Sequence, residues 1–243
     1  MRENTINASV PLSWNYGGTL TRFDHFKKAG WSDLEAVSAA AEIKYGNHIY
    51  FGYKAWERSI TAWWPLYHAA TDALKLDESN NLIVVVGVND GTDIAHLKRA
   101  SVIGIDPCES ALEVAVRHFP QHSFFKARGE NLQEGVSITT TDFLRLNNQS
   151  VDGYICLKTI DVSVVEAHLL VLEMRRVLKP GKPFLFSVAN GYYKDGSFVE
   201  GVIFEGNHID NRAMQKLTKS LQENGLTYEV IEHKLEPLVF GYL

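Results

Sequence analysis

Four residues in the middle of the chain have the types and spacing of a nucleotide pocket. Gly87, Asn89 and Gly91 lie in Val84-Val-Val-Gly-Val-Asn-Asp-Gly-Thr-Asp-Ile94, and Asp106 ends Val102-Ile-Gly-Ile-Asp106. Gly87 and Gly91 carry no Cβ, so the main chain can turn tightly there and approach a ligand closely. An acid about 20 residues past such a turn can accept hydrogen bonds from two ribose hydroxyls. Asp106-Pro107 also precedes a helical pattern and could cap it, a role compatible with the first.

The neighbours of these residues weigh on which nucleotide binds. A pyrophosphate site wants G-x-G-x-x-G opening onto a helix N-terminus. Here Asn89 stands at the second glycine position and Thr92 at the third. Asp90 and Asp93 place negative charge where a dianion would approach. S-adenosylmethionine has no phosphate and carries cationic sulfonium and ammonium groups, so nearby acids suit it better.

These residues need a sheet to hold them. From residue 80 onward, short apolar runs alternate with amphipathic stretches. Strands are expected at 82–86, 102–105, 151–157 and 184–188, with helices at 93–100, 110–118, 164–178 and 211–224. Phe124-Phe125 and the stretch 136–141 are both strand-like, and either could be the third strand. Lys179-Pro-Gly-Lys-Pro stops a helix and turns the chain, and Gly225 closes the last helix. Two final strands, 228–232 and 237–242, read as an antiparallel pair. Such alternation argues a doubly wound, mostly parallel sheet with right-handed crossovers.

The stretch Val85-Val-Gly87-Val-Asn89-Asp-Gly91 resembles the first motif of class I S-adenosylmethionine-dependent methyltransferases, an acid-x-Gly-x-Gly-x-Gly. Val85 replaces the acid and Asn89 the middle glycine. Asn tolerates positive φ, so the second change is mild. Glu173-Met-Arg-Arg-Val-Leu-Lys-Pro-Gly-Lys-Pro-Phe-Leu-Phe-Ser187 resembles the same family's E-x-x-R-V-L-K-P-G-G segment, with Lys182 for the second glycine. Arg176 is expected to cap helix carbonyls there. The resemblance implies a seven-stranded Rossmann-like fold over residues 81–243 with the last strand inserted antiparallel. Residues 1–80 would form a helical, aromatic-rich cap that selects the substrate, with helices at 32–43 and 55–74.

By the same resemblance, Gly87, Asn89 and Gly91 would line the methionine and ribose of the cofactor S-adenosylmethionine, and Asp106 would hold the ribose hydroxyls. Pro107 would flank the adenine. Asp142, followed by Phe143, is the candidate acid for the adenine amino group, with Glu130 as its alternative. Leu157, Lys158 and Asp161 leave the C-terminal edge of the sheet, where open α/β proteins bind ligands. Lys158 and Asp161 would border the transfer site; a solvated loop and helix cap is the plain alternative. Gly46-Asn-His48-Ile-Tyr50-Phe-Gly-Tyr53 is similar to a G-[DE]-H-[IM]-H-x-G-[YF] segment of many small-molecule methyltransferases. That implies His48 and Tyr50 at the acceptor and Tyr53 at the cofactor, against a bland alternative in which these rings only pack on the sheet.

Composition narrows the alternatives. A net charge of -5 over 243 residues gives no general attraction for nucleic acid. After the fourth strand there is no Asn-Pro-Pro-Tyr or Asp-Pro-Pro-Tyr run of the kind that marks many nucleobase methyltransferases. No apolar run approaches the roughly 20 residues needed to span a bilayer, and Met1 to Asn7 has no signal-peptide core. Cys108 and Cys156 make neither a disulfide framework nor a metal set, and are expected as buried thiols in a reducing, cytoplasmic setting. His118 and His122 have i, i+4 spacing but straddle Pro120, which breaks the one-face geometry, so no metal is expected.

The expectation is therefore methyl transfer from S-adenosylmethionine to N, O or C of a small molecule, in secondary metabolism, by a monomer or homodimer. The alternatives are a protein of this fold that binds the cofactor without transferring its methyl, an NAD-dependent oxidoreductase, and a nonenzymatic interaction protein.

Overall fold

The computed structural model describes residues 66–89, 91–160, 165–188, 213–232 and 237–243, together with the short strands between 191 and 208. The first described element is a helix over 66–73. After it come β1 (Leu82–Val86), a single 3-10 turn (Thr92–Ile94), β2 (Ser101–Asp106), α1 (Glu109–His118), β3 (Ser123–Lys126), β4 (Val136–Ser137) and β5 (Gly153–Cys156). Then follow α2 (Ala167–Val177), β6 (Pro183–Ser187), the short strands β7 (Gly191–Lys194), β8 (Ser197–Glu200), β9 (Ile203–Phe204) and β10 (Asn207–His208), α3 (Ala213–Glu223), β11 (Tyr228–Ile231) and β12 (Leu238–Tyr242).

One eight-stranded sheet has the order β11-β12-β6-β5-β1-β2-β3-β4. Strands β3, β2, β1, β5 and β6 run parallel, and β12 pairs antiparallel with both β6 and β11. The chain winds outward from β1 through β2 and β3, then returns to β5 on the other side of β1. That reversal opens a crevice beyond the C-terminal ends of β1 and β5, where such sheets hold ligands.

The inner strands are apolar on both faces because helices cover both. Alternation sorts their residues. Val84, Val86, Tyr154, Cys156, Phe184 and Phe186 pack against Leu170, Val171 and Met174 of α2 and Leu217 and Leu221 of α3. Ile83, Val85, Ile155 and Leu185 pack on the opposite face with Tyr67, Ala70 and Leu74, and with Leu112 and Ala115 of α1. Tyr67, Ala70, Leu74 and Leu76 are buried core residues. The boundary expected at residue 80 thus falls inside one packing unit: the sheet's core already includes residue 67.

Three expectations are corrected. The helix expected over 93–100 is reduced to the Thr92–Ile94 turn. The Asp77 carboxylate accepts the backbone N–H groups of Arg99 and Ala100 at 2.7 and 2.9 Å, so those donors turn to a side chain instead of a helix ladder. Second, both candidates for the third strand are strands. The 123–126 run is the parallel β3, and 136–137 folds back antiparallel to it as an eighth, edge strand. Third, Arg176 does not cap its own helix. It pairs with Glu173 at 2.8 Å and donates to the Leu146 carbonyl at 2.6 Å, while Glu173 accepts the Leu132 N–H at 3.0 Å. Burial pushes the Glu173 pKa up, but Arg176 and the Leu132 N–H outweigh it and hold the carboxyl below its usual value.

The Lys-Pro-Gly-Lys turn forms as expected, with Gly181 at φ +74°. Lys182, the departure from the motif, pairs with Asp152 at 3.2 Å beside Lys179 at 3.0 Å. The lysine thus joins a rim cluster that also receives the Leu82 N–H. Among the described residues no helix is long and apolar enough to cross a membrane.

Candidate functional site

β1 ends at Val86, and the loop after it makes three left-handed turns: Gly87 at φ +74°, Asn89 at +54° and Gly91 at +83°. Asn89 does supply the positive φ that the middle glycine of the motif would. The Gly87 and Val88 N–H groups donate to the Ile105 carbonyl at 2.8 and 3.1 Å, which keeps the loop zipped to β2. Asp106, at the end of β2, is buried. Its Oδ2 accepts the Asn89 N–H at 3.0 Å and its Oδ1 accepts the Cys108 N–H at 2.8 Å. The carboxylate therefore fixes both the loop after β1 and the entry to α1. The N-cap position itself belongs to Cys108, with no side-chain cap.

The glycines also answer a packing demand. A Cβ on Gly87 would lie 1.9 Å from Thr159 Oγ1, and one on Gly91 would lie 2.6 Å from the Phe119 ring. Both positions are closed by the protein's own side chains. Thr159, at the same edge, was not singled out from sequence. Its hydroxyl donates to the Leu157 carbonyl at 2.9 Å and reaches the Val86 carbonyl at 3.4 Å, bridging the ends of β5 and β1. Its only sequence signal was position, two residues past an apolar strand.

Leu157 is buried at the same edge. Lys158 is half-buried at φ +51°, and its N–H donates to the Ser187 hydroxyl at 3.0 Å. Ser187 is fully buried at the end of β6 and was not singled out from sequence. Gly87, Asn89, Asp106, Pro107, Leu157 and Lys158 thus gather along the C-terminal ends of β1, β2 and β5.

Asp142 and Phe143 are not brought to this edge. The β3–β4 hairpin carries them to the outer margin of the sheet, where Val136 bridges to Phe143. Phe143 is 63% exposed, and Asp142 is exposed with its carboxylate on Thr140. Two strands, β2 and β3, and the edge strand β4 separate them from β1. The alternative, Glu130, lies in the loop that leaves β3. Ala127 N–H donates to the Asp106 carbonyl at 3.2 Å, and a Cβ on Gly129 would lie 2.3 Å from Val86. That loop folds over the end of β1. Glu130 pairs there with Arg128 at 2.7 Å and accepts the Glu166 N–H at 3.3 Å. His48, Tyr50, Tyr53, Asp90 and Asp161 lie outside the described residues.

Cys108 and Cys156 are buried and not disulfide-bonded. Among the described residues no group of three or more His, Cys, Asp and Glu is placed to hold a metal ion.

The Asp106 carboxylate, held at the end of β2, is an acceptor of the kind a ribose needs. A carboxylate offers about four acceptor directions, and here two of its contacts are the Asn89 and Cys108 N–H groups.

Residues 84–186 match the family model described as a methyltransferase domain. No curated protein matches the chain in sequence. Among solved structures, a SAM-dependent methyltransferase from Aquifex aeolicus is 15% identical with a TM-score of 0.52, covering 72% of this chain and 88% of its own. Geranyl diphosphate C-methyltransferase from Streptomyces coelicolor, solved with Mg2+, geranyl diphosphate and S-adenosyl-L-homocysteine, is 12% identical with a TM-score of 0.56. That alignment covers 78% of this chain and 82% of that one. Residues 84–186 are thus similar to a methyltransferase domain, and the sheet that holds them has the Rossmann-like fold of the solved S-adenosylmethionine-dependent methyltransferases.

Proposed function

We propose that this chain transfers a methyl group from S-adenosylmethionine to a nitrogen, oxygen or carbon of a small molecule, in secondary metabolism. The observation that carries the reading is the Asp106 carboxylate, buried at the end of β2 and locked by two backbone N–H groups beside a left-handed loop. Asp106 would accept from the ribose hydroxyls and Pro107 would flank the adenine. Glu130, on the loop next to Asp106, is a better-placed partner for the adenine amino group than Asp142. The loop Gly87–Gly91, Leu157 and Thr159 would border the methionine portion.

Bound there, the cofactor supplies an electrophilic methyl on a sulfonium. The chain's own part is to hold an acceptor about 3 Å from that methyl, in line, and to exclude water. Lys158 and Asp161 would line the acceptor side, with Tyr53 over the cofactor. His48 would take the proton from an oxygen or carbon acid, assisted by Tyr50. Residues 1–80, rich in aromatics, would choose the acceptor, and could stabilise a cationic nitrogen through ring faces. A small-molecule partner, no nucleic acid or membrane, a monomer or homodimer and a cytoplasmic setting complete the reading.

A second reading has its own support. Val85 stands where the family motif has an acid, and Thr159 Oγ1 closes the space above Gly87. Both bear on the methionine end, and both favour a protein that holds the nucleoside without transferring the methyl.

Calorimetry with S-adenosylhomocysteine, with NAD as the control, tests the site. Asp106→Asn keeps the shape but loses the charge, and should weaken binding at least about tenfold, the scale of a charged hydrogen bond. Binding of NAD instead, or of neither ligand, would remove the assignment. Binding without methyl transfer to amines, phenols and carbon acids would favour the second reading.

A further inference from the structure

The strands on either side of the crevice bring no carboxylate to its floor. β1 reads Leu-Ile-Val-Val-Val and β5 reads Gly-Tyr-Ile-Cys. Val85, where the resembled motif has an acid, is buried and apolar. Thr159 supplies an oxygen there instead. Its half-buried side chain lies on Gly87: a Cβ at that glycine would sit 1.9 Å from Thr159 Oγ1, 3.2 Å from its Cβ and 3.4 Å from its Cγ2. The hydroxyl thus occupies the place that the missing side chain of Gly87 leaves.

The orientation of this hydroxyl is set. Its single proton goes to the Leu157 carbonyl at 2.9 Å, with the Val86 carbonyl alongside at 3.4 Å. A hydroxyl has one proton and two lone pairs, so with the proton committed the oxygen meets an incoming group as an acceptor. Together with the two carbonyls it makes a patch of partial negative charge between the ends of β1 and β5.

The backbone that carries Thr159 is set as well. Lys158, before it, stands at φ +51°, a conformation that a residue with a Cβ adopts only at a cost. The Lys158 N–H donates to the Ser187 hydroxyl at 3.0 Å and to the Ser187 carbonyl at 3.3 Å, which ties this turn to the end of β6. Ile160, after it, is buried. The acceptor is therefore in place before a ligand arrives, and little ordering remains to be done on binding.

We propose that Thr159 is a specificity-determining residue of the crevice: its Oγ1, beside the Val86 and Leu157 carbonyls, accepts a hydrogen bond from the ammonium group of the ligand. The proposal rests on the cofactor reading, in which this end of the crevice takes the methionine portion. An ammonium gives three protons and has no lone pair, so it suits a patch made of acceptors. A ligand with the same nucleoside and no ammonium leaves that patch unanswered.

Calorimetry on the full chain tests this with S-adenosylhomocysteine and its deaminated analogue, which keeps the nucleoside, the thioether and the carboxylate. The wild type should prefer S-adenosylhomocysteine about tenfold, the scale of one hydrogen bond to a charged group. Thr159→Val keeps the shape over Gly87 and puts a methyl where the oxygen stood. It should weaken S-adenosylhomocysteine about tenfold and leave the analogue unchanged, so the preference disappears. Thr159→Ser keeps the oxygen and should keep the preference. A general loosening of the turn would weaken both ligands alike and leave their ratio as it was. Equal binding of the two ligands by the wild type, or an unchanged ratio in Thr159→Val, overturns the proposal while the cofactor reading stands. If the Val variant does not fold, Thr159→Ala is read by the same ratio. Tighter binding of S-adenosylhomocysteine by Thr159→Ala also overturns it, because the threonine would then be a plug that bars the amino-acid tail. Binding of neither ligand by the wild type removes the cofactor reading and this proposal together.

Discussion

On the side of the sheet covered by α2 and α3, charge stays at the rim. Glu173 and Arg176 pair at the helix end, and Lys179 and Lys182 converge on Asp152 at the mouth of the strands. Between them the packing is aliphatic and aromatic, with Leu170, Val171, Met174, Phe184 and Phe186 all fully buried. On the other side, polar groups come inside. Tyr67, Thr71 and His96 meet beside residues 93–97, and Asp77 holds down a segment expected as helix. One sheet thus carries two kinds of support: one built from apolar area, insensitive to protons, and one built from hydrogen bonds and imidazoles, sensitive to them. The sensitive face is the one that carries the Thr92–Ile94 turn, just after the Gly87–Gly91 loop.

The contrast can be broken most forcefully on the apolar side. Leu170→Ala removes a fully buried side chain that also packs on Gly129. It should cost about 2–5 kcal/mol, by the same amount at neutral and mildly acid pH. A loss that varied strongly with pH, measured by denaturant unfolding, would show that the two faces are not independent.

A smaller effect separates the faces by pH. Glu173 has its carboxyl held below the usual value, so its contribution is present above about pH 4.5 and disappears as the pH falls through its folded pKa. The His96 contribution is lost earlier, between about pH 6.5 and about 4. Thermal unfolding should therefore decline in two stages on acidification. Glu173→Gln should cost roughly 1–2 kcal/mol at neutral pH, and flatten the lower stage alone. A single decline removed by that substitution would refute the division.

The smallest change sharpens the picture. Tyr154 lies in the apolar face with its hydroxyl buried and, among the described residues, without a hydrogen-bond partner, and burial raises its pKa well above the ordinary phenol value. Tyr154→Phe should leave stability unchanged or raise it by up to about 1 kcal/mol. A measurable loss would mean that this hydroxyl is satisfied in solution and that the face is less apolar than it looks.

Much of the sheet was legible in the sequence, because strands buried on both faces read as unbroken apolar runs and Pro180-Gly181 and Gly225 mark helix ends. The antiparallel closing pair was equally plain. What escaped depended on partners distant in sequence. Ile94 and Leu97 have helical spacing, yet Asp77, about twenty residues earlier, takes the donors that a helix would use. Gly87 was read only as a place for ligand, yet Thr159, over seventy residues later, also leaves no room for a side chain there. Asp142 had the better spacing along the chain, yet the hairpin of β3 and β4 carries it to the outer margin of the sheet. Local patterns report on local backbone; which side chain faces an open edge depends on the crossovers.

The insertion of β12 between β6 and β11 has a consequence for the order in which the chain is made. β11 leaves the ribosome first but has no strand to join until β12 arrives, because its one neighbour in the sheet is β12. Until then β6, with all five residues buried in the finished protein, presents an open apolar edge. Such an edge invites pairing with another nascent chain. The hazard lasts for the time needed to translate the stretch from Ser187 to Tyr242, and the final strand ends it by occupying that edge.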